Sequence, residues 1–376
     1  MTGTSYMVKE ISNQPKVWMD TYESVFNKRE SIGAFLQDVF KVSNLQIILT
    51  GAGSSAFIGE ILQHAFHRNT ALPVKAIPTT DLVTHPADFF EKSIPILMVS
   101  FARSGDSPES VASFEFAEKL TTAYHLIITC NVEGKLAIMA SKKFNCFTFL
   151  LPEETNDQAL AMTSSFTSMT LAGLLISDIK NIQQNLAHVK SLAAFGTNII
   201  DNYAKELDDV ADLDFKRIVF LGAGPLKGTA RESHLKVIEL TDGKIMCQYD
   251  SFLGFRHGPR AIIDQSTLLI YLFSDDPYVF KYEDDLVRSI RQTEDFIFSI
   301  GVGQSSSAME KLGLNLVIQP DDNYNKMPDD FFAICSIIPA QVLGFYKSLA
   351  IGLTPDSPSQ NGGIHRVVQG VNIYPY

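Results

Sequence analysis

The feature that most narrows the fold is a strand-to-turn signature that occurs twice. Leu45 to Thr50 is a short apolar run that stops at Gly51-Ala52-Gly53-Ser54-Ser55, and a helical pattern through Ile58, Ile61, Leu62 and Ala65 follows. The same order returns 171 positions later, where Arg217-Ile-Val-Phe-Leu leads into Gly222-Ala223-Gly224. Strand, glycine turn, helix is how a parallel α/β unit opens. Two such openings in 376 residues predict two tandem units, since single cores rarely keep growing beyond about 250–300 residues. The competing explanation is that Gly-Ala-Gly recurs only because tight strand-to-helix turns favour glycine.

Further apolar runs extend each unit. Val74 to Ile77, Ile96 to Ser100, Leu126 to Thr129 and Phe147 to Leu150 follow the first opening; Ile245 to Cys247, Leu268 to Phe273 and Leu314 to Ile318 follow the second. They are continuous rather than alternating, as strands of a parallel sheet covered on both faces are. Before them, Trp18, Tyr22, Val25 and Phe26 form one helical stripe and Ile32, Phe35, Leu36 and Val39 another. The predicted class is α/β, with two tandem domains, each a mainly parallel sheet flanked by helices. The boundaries read as a helical extension over 1–30, a first domain over 31–185, a helical linker over 186–208, a second domain over 209–352 and a tail over 353–376.

A chain that is 45% hydrophobic and 19% charged can bury ordinary cores and is not a disordered one. Its net charge of -11, from 31 basic and 42 acidic residues, argues against broad binding to nucleic acid or anionic membrane. Cys130, Cys146, Cys247 and Cys335 are scattered without metal-ligand or redox spacing, which points to a reduced, cytoplasmic setting. No secretory leader is expected from the first residues. Residues 158–176 are the one stretch resembling a membrane span, but their Ser and Thr content favours a packed helix.

Two loops are candidates for anion binding. Gly53-Ser54-Ser55 and Ser100-Phe-Ala-Arg103-Ser104-Gly105-Asp106-Ser107 each follow a predicted strand and precede a helix, where free N–H groups favour an anion. Ser54, Ser55, Ser104 and Ser107 add hydroxyl donors, and Arg103 a charge. Plainer roles compete: Ser107 before Pro108 is also an N-cap, and Arg103 can pair with Asp106. Neither the full dinucleotide fingerprint nor a P-loop is present.

In the second unit, a helix over 229–240 would put Glu232, Lys236 and Glu239 on one face. Phe255-Arg256-His257-Gly258-Pro259 follows, with a glycine-proline turn that can aim an imidazole. Proton transfer is one reading. A solvated helix face with a Glu232–Lys236 pair and a structural histidine is the other. His64 and His67 lie three apart on a helix without a nearby carboxylate triad, so no metal site is expected.

Taken together, Thr50-Gly-Ala-Gly-Ser-Ser-Ala, Ser100 through Ser110, Glu153-Glu-Thr-Asn with Ala159-Leu-Ala-Met-Thr-Ser-Ser-Phe-Thr, and Arg366-Val-Val-Gln-Gly-Val-Asn-Ile-Tyr-Pro resemble the sugar isomerase (SIS) family. The likeness is to its two-domain galactosamine-6-phosphate deaminase/isomerase branch, also labelled tagatose-6-phosphate ketose/aldose isomerase. It implies a sugar-phosphate substrate, no cofactor, and a homodimer or higher oligomer with shared sites. It also implies that Ser54, Ser55, Ser104 and Ser107 hold the phosphate and Glu239 moves the proton between C1 and C2. Lys236 would stabilise negative charge on the intermediate or orient hydroxyls, Glu232 belongs to the same catalytic helix, and His257 would open the sugar ring. Relative to glucosamine-6-phosphate synthase, this sequence is about two residues longer between Glu239 and His257. It has no lysine after Lys347, which turns expectation away from glutamine-dependent synthesis and makes His365, in the tail, a second ring-opening candidate. A fructosamine-6-phosphate deglycase, a simple ketose/aldose isomerase and a non-catalytic sugar-phosphate sensor are the alternatives.

Overall fold

The computed structural model describes residues 5–321, 324–368 and 370–376. Among them, ten strands form two five-stranded sheets, and every strand pairing is parallel. The first contains β1 (Gln46–Thr50), β2 (Val74–Ala76), β3 (Ile96–Ala102), β4 (Ala123–Thr129) and β5 (Cys146–Leu150), in the order β2-β1-β3-β4-β5. The second contains β6 (Arg217–Gly222), β7 (Met246–Asp250), β8 (Thr267–Leu272), β9 (Phe298–Val302) and β10 (Leu316–Ile318). Its order, β10-β9-β8-β6-β7, is the first order repeated. In both, the chain reverses direction across the sheet beside the opening strand, which is where open α/β sheets place ligands.

The two sheets mark two structural units. The N-terminal unit comprises Lys16–Asp157, Ser164–Ala187 and Ile364–Tyr376; the C-terminal unit comprises the stretch up to Pro15, Gln158–Thr163 and His188–Gly363. In the N-terminal unit all seven residues of β3 are buried, as its unbroken apolar sequence requires. Trp18 is anchored there too, its indole N–H donating to Thr167 Oγ1 at 3.0 Å. In the C-terminal unit the core gathers Val219, Leu221, Phe252, Phe255, Leu269 and Tyr271. Each fully buried Leu, Val or Phe side chain contributes about 1.5–3 kcal/mol by leaving water.

The duplicated turn repeats at the level of dihedral angles. Gly53 has φ 55° and ψ -130°, and Gly224 has φ 55° and ψ -128°, a left-handed φ that a side chain would strain. Gly51 and Gly222 admit close backbone approach. A Cβ at Gly51 would lie 2.6 Å from the Ser55 backbone, and one at Gly222 would lie 2.4 Å from the Leu226 carbonyl. What differs is the chemistry that follows, since Pro225 and Leu226 stand where the first unit has Ser54 and Ser55.

Two features depart from the sequence reading. β9 is missing from the expected strands because Ser299 and Gly301 break its apolar run; Ser299 is tied to Asn315 Oδ1 at 2.9 Å, and a Cβ at Gly301 would meet Leu314 at 2.5 Å. The apolar stretch at 158–176 supplies most of the buried helix Ser164–Ser177, but among the described residues the run with the length and hydropathy of a membrane span is Asp329–Ala350. That run is 89% buried in the protein, as a core element would be.

Candidate active site

In the N-terminal unit, the helix Ser54–Thr70 begins after Gly53 with no side-chain cap, placing the buried Ser54 and Ser55 in its first turn. The second loop leaves β3 at Ala102 and enters the helix Pro108–Leu120. Ser107 occupies the N-cap position of that helix, but its hydroxyl donates to Ser110 Oγ at 2.6 Å instead of capping a backbone N–H. Neither helix start has a side-chain cap hydrogen bond; Ser54–Thr70 also has no acid in its first turn, the arrangement that suits an external anion, whereas Pro108–Leu120 carries Glu109 there.

A third loop, not singled out by sequence, fixes this geometry. Asn131 Nδ2 donates to the Ser104 carbonyl at 3.0 Å, Leu136 N–H to the Gly105 carbonyl at 3.1 Å, and Lys135 N–H to Asp106 Oδ1 at 3.0 Å. Gly134 lies so near that a Cβ there would be 2.3 Å from the Ser104 carbonyl oxygen. Asp106 is thus occupied in bracing the loop. Arg103 is 8% exposed, and its Nη2 donates to the carbonyl of Arg366. Arg366 in turn bonds the Asp157 carbonyl and Asn156 Oδ1, while the Asp157 carboxylate accepts from Ser164 and Ser165 N–H at 3.0 and 2.8 Å. His365 precedes Arg366 in the same unit and is exposed.

In the C-terminal unit the helix Pro225–Leu240 brings the three predicted ionisable residues together. Lys236 Nζ lies 3.2 Å from Glu232 Oε1 and 2.5 Å from Glu239 Oε2. Lys236 and Glu232 are fully buried, whereas the Glu239 side chain is 21% exposed. Burial works against the Lys236 charge, but the adjacent Glu232 and Glu239 carboxylates outweigh it and hold the ammonium above its ordinary pKa. The triad has one outlet to solvent, and it is a carboxylate.

His257 sits in an exposed turn. The preceding short helix Phe252–Phe255 is capped by Ser251 Oγ, which accepts from Gly254 N–H at 3.0 Å, and Phe252 and Phe255 anchor it in the core. Gly258, at φ 124°, then turns the chain into Pro259. Among the described residues, the His257 side chain has no hydrogen bond, and the structure does not pair it with Glu239. Nor do His64 and His67, both exposed, join a group of three metal-ligating side chains.

A SIS domain model matches residues 40–177. The chain is 39% identical over 377 residues to the D-galactosamine-6-phosphate deaminase AgaS of Escherichia coli, covering 100% of this chain and 97% of that relative. It is 38% identical over 384 residues to the same-named protein of Shewanella sp. (strain ANA-3), covering 100% and 93%. Among solved structures, tagatose-6-phosphate ketose/aldose isomerase from Escherichia coli superposes with a TM-score of 0.89 at 37% identity, over 99% of this chain and 97% of that one.

Proposed function

The chain belongs to the SIS family, in the branch of the D-galactosamine-6-phosphate deaminases, and from that premise we propose that it converts galactosamine 6-phosphate and water to tagatose 6-phosphate and ammonia. The observation that carries the mechanism is the half-open triad: a buried ammonium with one solvent-reaching carboxylate, Glu239. Ser54, Ser55, Ser104 and Ser107, at two uncapped helix starts, are assigned the phosphate.

In the opened aldose, the Glu239 carboxylate removes the C2 proton as the C1 carbonyl oxygen gains one, giving an enolamine. Returning the proton to C1 leaves a C2 imine. Water adds to that carbon, ammonia departs, and the 2-ketose phosphate remains. Lys236 holds the carboxylate in place, and Glu232 balances Lys236 from within the helix. Ring opening needs a group that both accepts and donates a proton near neutrality, and His257 and His365 are the candidates. We assign His257 to a neighbouring subunit's site in a homo-oligomer, a reading supported by its exposure on a rigidly anchored turn. Free thiols at all four cysteines accord with a cytoplasmic setting.

The test is incubation with galactosamine 6-phosphate, glucosamine 6-phosphate and tagatose 6-phosphate, following ammonia and ketose separately. Equal release of ammonia and ketose from galactosamine 6-phosphate is expected. Aldose–ketose interconversion without ammonia would make the chain a simple isomerase, and no turnover of any of the three by folded protein would overturn the proposal.

A further inference from the structure

Arg103 precedes Ser104 in the second serine loop, the place where a phosphate ligand would be expected, yet it donates Nη2 to a backbone carbonyl of the tail, that of Arg366. The Arg366 guanidinium reaches in the other direction, with Nε 2.8 Å and Nη2 2.5 Å from the Asp157 carbonyl and Nη2 2.9 Å from Asn156 Oδ1. Asp157 is itself fixed, its carboxylate accepting from Ser164 N–H, Ser165 N–H and Ser165 Oγ. The tail is seated again further on. Ile373 packs on the core containing Phe114 and Phe116, Tyr376 lies 5.8 Å from the Phe116 ring, and Lys119 Nζ donates to the Tyr376 carbonyl.

We propose that Arg103 is a positioning residue, not a phosphate ligand: with Arg366 it forms a clasp that holds the tail against the serine loop and so presents His365 to the bound sugar phosphate. An apolar anchor at Ile373 keeps the tail on the N-terminal unit but leaves the stretch upstream free to swing. Arg103 holding the tail backbone and Arg366 reaching from the tail to Asn156 and Asp157 remove that freedom, because each guanidinium is planar and donates at fixed angles. His365 is the residue next to the clasp and its side chain is exposed, so its Cα is fixed about 3.8 Å from that of Arg366 while its ring faces solvent. Like the serine loops, it belongs to the N-terminal unit. This inference rests on the proposed deaminase reaction for the role of His365, but the clasp does not.

Three readouts on the full chain separate the possibilities: hydrogen exchange of residues 364–376, calorimetric affinity for inorganic phosphate, and kcat on galactosamine 6-phosphate. For Arg103→Ala, exchange of the tail is expected to accelerate about tenfold or more, phosphate affinity to stay within about twofold, and kcat to fall about tenfold. His365→Asn should lower kcat similarly and add little on top of Arg103→Ala, since both remove the same contribution. Arg366→Ala, on a half-exposed side chain, carries the same test should the buried Arg103→Ala not fold. Phosphate affinity lost about tenfold with the tail still protected would make Arg103 a phosphate ligand and overturn the proposal. Additive losses in the double variant would overturn the assignment of His365. If wild-type protein turns over no amino-sugar phosphate, the deaminase reading fails, while exchange and phosphate binding still decide the clasp.

Discussion

The Lys236 ammonium lies 2.5 Å from the Glu239 carboxylate, in an ion pair with one partner sealed in the protein and the other open to solvent. Because Glu232 adds a second carboxylate at 3.2 Å, the buried cation is what allows two acids to share one helix face. Lys236→Met should therefore destabilise the fold by about 3–5 kcal/mol, measured by urea unfolding, because it removes the buried cation 3.2 Å from the fully buried Glu232. A loss below about 1 kcal/mol would show that the pair contributes only as an exposed one does.

The serine loops predict a different signature. Ser104→Ala and Ser55→Ala should each raise KM for the sugar phosphate about tenfold and weaken competition by inorganic phosphate equally, as expected for loss of one hydrogen bond to a charged group. Gly51→Ala should do more harm than either. Its Cβ would lie 2.6 Å from the Ser55 backbone, so the whole first turn of the helix must shift. Unchanged phosphate competition in all three variants would remove these loops from the binding role.

Stability should also depend on pH through Glu283. This carboxyl is 1% exposed, accepts one hydrogen bond from Ser274 N–H at 3.1 Å, and has the acids Asp329, Asp275 and Asp276 gathered around Ser274. Lys326 pairs with Asp275. Burial, aided by Asp329 and opposed by the Ser274 hydrogen bond, pushes its pKa up from 4.5 to about 8. The folded state then holds a proton that the unfolded chain releases. The stabilisation is complete below about pH 4.5 and is lost as pH rises toward 8, at up to about 1.4 kcal/mol per pH unit. Glu283→Gln should flatten that decline in denaturation curves collected from pH 5 to 8; an unchanged slope would show that Glu283 is ionised throughout.

A shared site makes a claim about mixtures. Glu239→Gln and His257→Asn homo-oligomers should each be nearly inactive, whereas co-refolded mixtures should regain a readily measured fraction of activity because some sites combine an intact carboxylate with a partner's intact imidazole. Mixtures as inactive as their parents would place His257 outside a neighbour's site.

Much of the fold was legible because its signals are local. The two Gly-Ala-Gly turns and unbroken apolar runs announce parallel strands, and the backbone repeats accordingly at Gly53 and Gly224. β9 was not legible, since Ser299 and Gly301 look like breaks until Asn315 and Leu314 are seen to require them. In the site, helical spacing alone puts Glu232, Lys236 and Glu239 on one face, but nothing in that spacing says which carboxylate meets solvent. The Arg103 contact to Arg366 spans 263 positions, and Asn131 reaches Ser104 across 27. Such pairings depend on tertiary placement, to which periodicity is blind.

The central claim is that Glu239 carries the proton between C2 and C1 of an amino-sugar phosphate. Its most direct test is incorporation of solvent deuterium into galactosamine 6-phosphate or its ketose product, followed by NMR in wild-type and Glu239→Gln protein. The predicted result is exchange slowed by about 100- to 10,000-fold in the variant, with affinity for inorganic phosphate retained. Exchange at the wild-type rate in Glu239→Gln would contradict the assignment.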